Sequence, residues 1–213
     1  MQPKVEIKLL KDVAYNKIKE LILTEYFAPN QMLSERELIE ILEMSKTPIK
    51  SALTRLESEG FVKVSSKQGI IVLDLSLEKI LNIYDLRIAL ETFVCSQLQG
   101  NLREDEVSQL FEATNHMNVA IKENDVEKFT YWDHFFHLKL AQFTGNAEIE
   151  RVLLIYNDQL KRITFRHLKK DFKRMEDFNK EHIEIIYSLV QELGNASTLI
   201  ENHLRASKQK LLD

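Results

Sequence analysis

Apolar residues recur at helical spacing over about two thirds of this chain, and only its first third departs from that pattern. From residue 76 onward the periodicity predicts helices near 76–99, 103–123, 126–144, 147–168, 172–193 and 196–211. Gly100-Asn101, Asn124-Asp125, Gly145-Asn146, Lys169-Lys170 and Gly194-Asn195 fall between them as polar breaks. Asp74-Leu75-Ser76 reads as a short linker, with Ser76 placed to cap the next helix. No β-rich block and no glycine-rich phosphate loop interrupts this part, so the pattern predicts an all-α bundle of six helices over 76–213.

Residues 1–75 read differently. Phe61-Val62-Lys63-Val64 and Ile70-Ile71-Val72-Leu73 are short β-rich runs flanking Ser65-Ser66-Lys67-Gln68-Gly69, a hairpin whose tip carries a lysine and a glycine. Before them, Ser34 and Glu37 form an S-x-x-E capping box that opens a helix with Leu38, Ile41 and Leu42 on one stripe. Glu43-Met44-Ser45 turns the chain. Thr47 is placed to cap a second helix with Pro48 at its first position, where a missing N–H costs nothing. Ile49, Ala52, Leu53 and Leu56 form the buried face of that helix, so Lys46, Lys50, Ser51 and Arg55 point elsewhere. An anchor helix, a turn, a helix with a cationic start and a hairpin together predict a winged helix-turn-helix that sets its second helix in the major groove of DNA.

Charge supports that reading only once it is divided. The 213 residues carry a net −4, which is unpromising for a nucleic-acid binder. Residues 1–75 are neutral, with 11 basic and 11 acidic groups, and the remainder holds the whole excess of acid. Within 43–67 there are five basic residues against three acidic, so the cationic surface is local and DNA affinity calls for a small footprint doubled in a homodimer. Apolar content of 44% and charged content of 29% are those of an ordinary soluble chain, and no apolar run approaches the ~20 residues that span a bilayer. The N-terminus lacks a signal-peptide core. Cys95 is the single cysteine, which excludes an intrachain disulfide and suits a small buried hydrophobe in a reducing cytoplasm.

Four residues of the helical part could share a site. Asp133 and His137, four apart, project from one face of a helix. His182 and His203 stand 12 residues before and 9 after Gly194, ~18 and ~14 Å along their helices from that turn, so antiparallel neighbours would bring them to similar height. His137 lies 8 residues before Gly145, which allows the same layer. Three imidazoles and a carboxylate around one cavity suit a borderline divalent ion such as Zn²⁺, Ni²⁺ or Mn²⁺. A histidine on a helix is more often a surface or core residue, so the spacing alone leaves both readings open. Arg87 and Glu91 are an i,i+4 pair. On a surface they amount to a salt bridge of ~0.3–0.5 kcal/mol, whereas facing the cavity Arg87 could meet a ligand carboxylate. Met117, Phe129, Trp132, Phe135, Phe136 and Phe143 read as core or dimer interface.

Two resemblances sharpen this picture. Asn30 to Leu38, Ser45-Lys46-Thr47-Pro48 and Leu56 to Phe61 resemble the DNA-binding domain of GntR-type bacterial transcription regulators, from about Val13 to Leu73. The resemblance implies DNA contacts at Arg36, Ser45, Lys46, Thr47, Lys50, Lys67 and Gly69. The chain departs from the family pattern at Lys46 and Lys50, where arginine is commoner, and at Lys67-Gln68-Gly69 in place of an arginine–glycine-rich wing. Lysine is a mobile point charge rather than a planar fork for guanine, so phosphate contacts carry over and the family's operator sequence does not.

Tyr84 to Glu91, Asp133-x₃-His137, Gly145-Asn146, Glu181-His182 and His203-Leu204 are similar to the FCD effector domain of the FadR branch of that family. In its metal-binding members an aspartate and three histidines occupy these motif positions, and Asp133, His137, His182 and His203 fill all four. His116, His134 and His167 do not match and read as surface or packing residues. The resemblance implies a cytoplasmic, homodimeric, ligand-responsive regulator, most often a repressor, on a pseudo-palindromic double-stranded operator and without a membrane partner. A small carboxylate entering at the metal would shift the bundle, change the spacing of the DNA-binding domains and lower operator affinity. Two rivals remain: a His₃Asp metalloenzyme, for which no general base is evident, and a bundle merely stiffened by metal.

Overall fold

A computed structural model describes residues 9–65 and 69–211. The chain divides into two compact units, residues 1–75 and 76–213.

In the first unit α1 (Leu10–Leu23) is followed by β1 (Met32–Leu33), α2 (Glu35–Leu42), α3 (Lys46–Ser58), β2 (Val62–Ser65) and β3 (Gly69–Val72). The capping box forms as expected: Glu37 N–H donates to Ser34 Oγ at 3.1 Å, and Ser34 N–H donates to Glu37 Oε2 at 2.6 Å. Glu43 ends α2 in the left-handed region, at φ 52°. The start of α3 is not where the sequence put it. Ser45 rather than Thr47 is the N-cap, it makes no side-chain cap bond, and Pro48 is the third helical residue. Proline is tolerated there because the first four N–H groups of a helix have no partner within the helix. Ile41 is exposed, so the buried stripe of α2 narrows to Leu38 and Leu42. These meet Ile49, Leu53 and Leu56 of α3, Ile18 and Ile22 of α1, and Val62, Ile70 and Val72 in one core.

The sheet has three antiparallel strands in the order β1-β3-β2, with Met32 opposite Ile71 and Val62 opposite Val72. The two-residue β1 was not expected from the sequence. It explains Gly69, whose φ is +81° and where a Cβ would meet the Leu33 carbonyl oxygen at 2.7 Å. The fold therefore requires glycine at that position whether or not DNA approaches it.

The second unit consists of α4 (Leu77–Leu98), α5 (Glu104–Glu123), α6 (Val126–Phe143), α7 (Ala147–Lys170), α8 (Arg174–Leu189) and α9 (Ala196–Gln209). Ser76, Asp125 and Asn146 each cap the following helix with a side-chain oxygen. Lys169-Lys170 is not a break: both lysines belong to the last turn of α7, where positive charge suits the helix C-terminus. α8 ends four residues before the predicted Leu193. Ser188 Oγ accepts from the Asn195 backbone at 2.7 Å and so folds the chain back. α4 packs chiefly on α9, α5 on α6 and α8, and α6 on α7. Met117, Phe129 and Phe136 are wholly buried, and Trp132, Phe135 and Phe143 pack against the same core.

Candidate DNA helix and buried histidine cluster

Arg36, Ser45, Lys46, Thr47 and Lys50 are all exposed, as a DNA-facing set requires, while Lys67 lies outside the described residues. The lysines are not unengaged. Lys46 Nζ donates to Glu35 Oε2 at 2.9 Å, and Lys50 Nζ lies 3.7 Å from Glu35 Oε1. The Lys46 hydrogen bond holds the Glu35 carboxyl below the usual carboxylate range. Arg36 pairs with Glu40 along α2. Arg55 has a structural occupation: its guanidinium lies 3.6 Å from the centre of the Tyr15 ring and its Nε donates to Glu59 at 3.0 Å. Reading the sequence as exposed cations missed Glu35, although it sits inside the capping-box stretch.

In the second unit three helices bring Asp133 and His137 (α6), His182 (α8) and His203 (α9) together. All four are buried, and one ligand atom from each lies within 4.8 Å of every other. Ring centroids separate His182 from His203 by 4.7 Å and His137 from His182 by 5.1 Å. The common height expected on either side of Gly194 is what the fold delivers.

Two of the three outer histidine nitrogens have a carboxylate behind them, while His182 Nδ1 is buried without a hydrogen-bond partner. His137 Nδ1 meets Glu91 Oε2 at 2.6 Å, and His203 Nδ1 meets Glu181 Oε2 at 2.5 Å. A carboxylate there takes the Nδ1–H, which leaves the Nε2 lone pair of each ring directed at the cluster. His137 Nε2 and His182 Nε2 approach to 3.3 Å, and His182 Nε2 stands 3.6 Å from Asp133 Oδ1, a buried oxygen with no hydrogen-bond partner. Cis ligands on a six-coordinate divalent ion at ~2.1 Å are ~3.0 Å apart and trans ligands ~4.2 Å apart, so the donor set fits such an ion in chemistry, and in spacing once the side chains draw in, with positions left over. Burial pushes His182 well below its ordinary value, with His203 and His137 adding to the effect, which favours the neutral ring a metal needs. Burial also lowers His137, and Glu91 pulls it partly back.

Arg87 was the open question, and the fold buries it. Its Nε donates to Glu91 Oε1 at 2.6 Å with side-chain exposures of 5% and 1%, so the surface-bridge reading is wrong. Arg87, Glu91 and His137 form a buried chain that leads to the cluster. Burial alone raises the Glu91 carboxyl, but Arg87 and then His137 outweigh it and hold it at about 2. Arg87 Nη2 is buried without a partner and borders a cavity of about 10 Å³, with His134, His137 and Asn157 beside it. Glu91 and Glu181 are the site residues the sequence reading passed over, although both stood in its quoted motifs. His134 is a packing residue whose Nε2 meets Thr164 Oγ1 at 3.1 Å. His116, half-buried, stacks on Trp132.

A three-stranded winged helix-turn-helix followed by a helical bundle with a buried polar centre defines a class: DNA-binding regulators with a separate helical domain. Residues 10–72 match the bacterial regulatory proteins of the gntR family, and residues 82–206, more than half of the chain, match the FCD domain. The chain belongs to the GntR family of transcription regulators, in the branch that carries an FCD domain. It is 35% identical over 131 residues to an HTH-type transcriptional regulator in the TAR-I ttuE-ttuC' intergenic region of Agrobacterium vitis, over 60% of this chain and 77% of that one. It is 29% identical to the gluconate operon transcriptional repressor of Bacillus subtilis (strain 168), over 82% of this chain and 74% of that one. A GntR regulator from Rhodococcus sp. RHA1 shares the fold with a TM-score of 0.78 at 18% identity, covering 95% of this chain and 97% of that one. These proteins are regulators rather than enzymes, which removes the metalloenzyme alternative. Among the described residues no helix is long and apolar enough to cross a membrane.

Proposed function

We propose that this GntR-family regulator is a homodimeric, metal-dependent repressor that binds a pseudo-palindromic operator through α3 and releases it when a small carboxylate enters the helical domain. The observation that carries this reading is the convergence of Asp133, His137, His182 and His203, with Glu91 and Glu181 fixing two of the imidazoles from behind. A divalent ion such as Zn²⁺, Ni²⁺ or Mn²⁺ held by those four would supply Lewis acidity and open positions for an oxygen ligand. Arg87 Nη2 supplies the charge-assisted donor for the same carboxylate.

The size of the cavity suggests how binding couples to the bundle. A space of about 10 Å³ holds no more than a water, so an organic acid has to part α4, α6 and α7, whose residues line it. Affinity for the ligand is then tied to the position of those helices, and a coupling of ~1–3 kcal/mol to operator affinity is of the usual size. That the Bacillus relative is named for a gluconate operon makes a sugar acid a natural first probe.

The test is thermal unfolding of the Zn²⁺-loaded protein with acetate, citrate and gluconate. At least one should raise the melting temperature of wild type, and none should do so after chelation or in Arg87→Met. A ligand shift that survives both treatments places the acid elsewhere in the molecule.

A further inference from the structure

Resting on the reading of α3 as the DNA helix, we propose that Glu35 is an affinity-limiting residue that holds Lys46 and Lys50 back from phosphates. Glu35 is the first residue of α2, and the two lysines are one turn apart on the same face of α3. One carboxylate spans both, through Oε2 at 2.9 Å and Oε1 at 3.7 Å, and the Lys46 hydrogen bond lowers its titration further. The leading turn of α3 therefore presents one net positive charge where its sequence carries two.

The restraint is weak enough to be released. All three side chains are partly exposed, and ion pairs in such settings are worth little. On a duplex of arbitrary sequence a lysine exchanges Glu35 for a phosphate and gains only counterion release. On its operator the same lysine also gains base-edge acceptors in the major groove, so the exchange is favourable there by a wider margin. Both complexes break the same ion pairs of the same free protein, so Glu35 lowers operator and arbitrary binding by the same factor and sets how tightly the chain holds any duplex.

The experiment compares full-length wild type and Glu35→Gln on a random-sequence duplex and on the duplex that wild type enriches from a randomised pool, each across a salt series. Glu35→Gln should bind the random duplex more tightly, with a log K against log[salt] slope steeper by about one unit per protomer. That is about an eightfold gain per protomer, or about 60-fold for a homodimer, at 0.1 M salt relative to 1 M. The gap between enriched and random duplex should stay the same, and a gap that changes would make Glu35 a direct reader of the operator. The gain should vanish when the substitution is made in the Lys46→Ala/Lys50→Ala background. Glu20→Gln, the same charge change at an exposed position of α1, should leave both affinities alone. Unchanged binding in Glu35→Gln makes the pair an inert surface contact, and weaker binding makes Glu35 a positioning group or a direct contact to a base; either overturns the proposal. If the lysine variants bind as wild type does, the assignment of α3 fails first and this inference falls with it.

Discussion

Arg36–Glu40 on α2 and Arg87–Glu91 on α4 are the same pair by every rule of sequence: arginine then glutamate, four apart on a helix, joined from Nε to Oε1. The first pair is 88% and 63% exposed at 2.9 Å, and the second is 5% and 1% exposed at 2.6 Å. Water screens the first until it contributes next to nothing. The second has given up its hydration and depends on its partners. Glu91 is engaged by Arg87 on one oxygen and by His137 on the other. Identical local chemistry is therefore decorative in one unit and part of a buried polar centre in the other, and burial alone makes the difference.

The largest expected effect comes from removing the buried carboxylate. Glu91→Gln leaves Arg87 charged and unpaired in the interior, so it should cost ~3–5 kcal/mol of stability in urea unfolding of metal-free protein. It should also weaken metal binding by ~10–100-fold, because His137 loses the acceptor that sets its tautomer and orientation. A cost below ~1 kcal/mol would mean that water reaches the pair and that the contrast with Arg36–Glu40 is illusory.

Acid sharpens the same contrast. Glu91 is held at about 2 in the folded chain against an ordinary ~4.3, and a depressed carboxyl stabilises the fold above the unfolded value. The stability gap between wild type and Glu91→Gln should therefore be complete at pH 7 and shrink as pH falls from ~4.3 towards about 2. A gap that stays constant over that range would show that the carboxyl was not ionised to begin with.

For the exposed unit the effects move to DNA. Lys46→Ala and Lys50→Ala should each flatten the salt dependence of operator binding, by about one unit of slope for every phosphate left without its lysine, with little change in melting temperature. Lys50→Arg should alter base preference if that side chain reaches a base edge, and leave it alone if it touches only phosphate. The smallest effect is Glu40→Gln, which should not shift the melting temperature. A clear loss there would give the exposed pair a structural role that its setting denies.

Burial also divides the features that are legible in the sequence from those that are not. Asparagine and glycine breaks placed four of the five divisions in the bundle, because those residues end helices by their own backbone preferences, whereas Lys169-Lys170, read as the fifth, belongs to α7. The two-residue β1 escaped notice because Met32-Leu33 is too short for any periodicity and is a strand only by its pairing with β3. The early end of α8 was hidden because it depends on Ser188 reaching Asn195. The histidine cluster could be anticipated from distances to the Gly194 turn and from family resemblance. The burial of Arg87 could not, because α4 carries apolar residues on nearly every face and its spacing does not single out the side that is covered. Glu91 and Glu181 were overlooked for the same reason: a glutamate on a helix surface and one behind a buried histidine are spelled alike.

The metal itself is the most direct test of what the buried centre is for. Elemental analysis of protein purified without chelator should find one divalent metal ion per wild-type chain. Little should remain in His182→Ala and His203→Ala, with full content in His116→Ala, whose ring stacks on Trp132 away from the cluster. Melting curves on the same samples should show chelation destabilising wild type and His116→Ala but not the other two, since an ion bound only by the folded chain raises its stability. Equal metal content in all four folded proteins would contradict the assignment of Asp133, His137, His182 and His203 as the site.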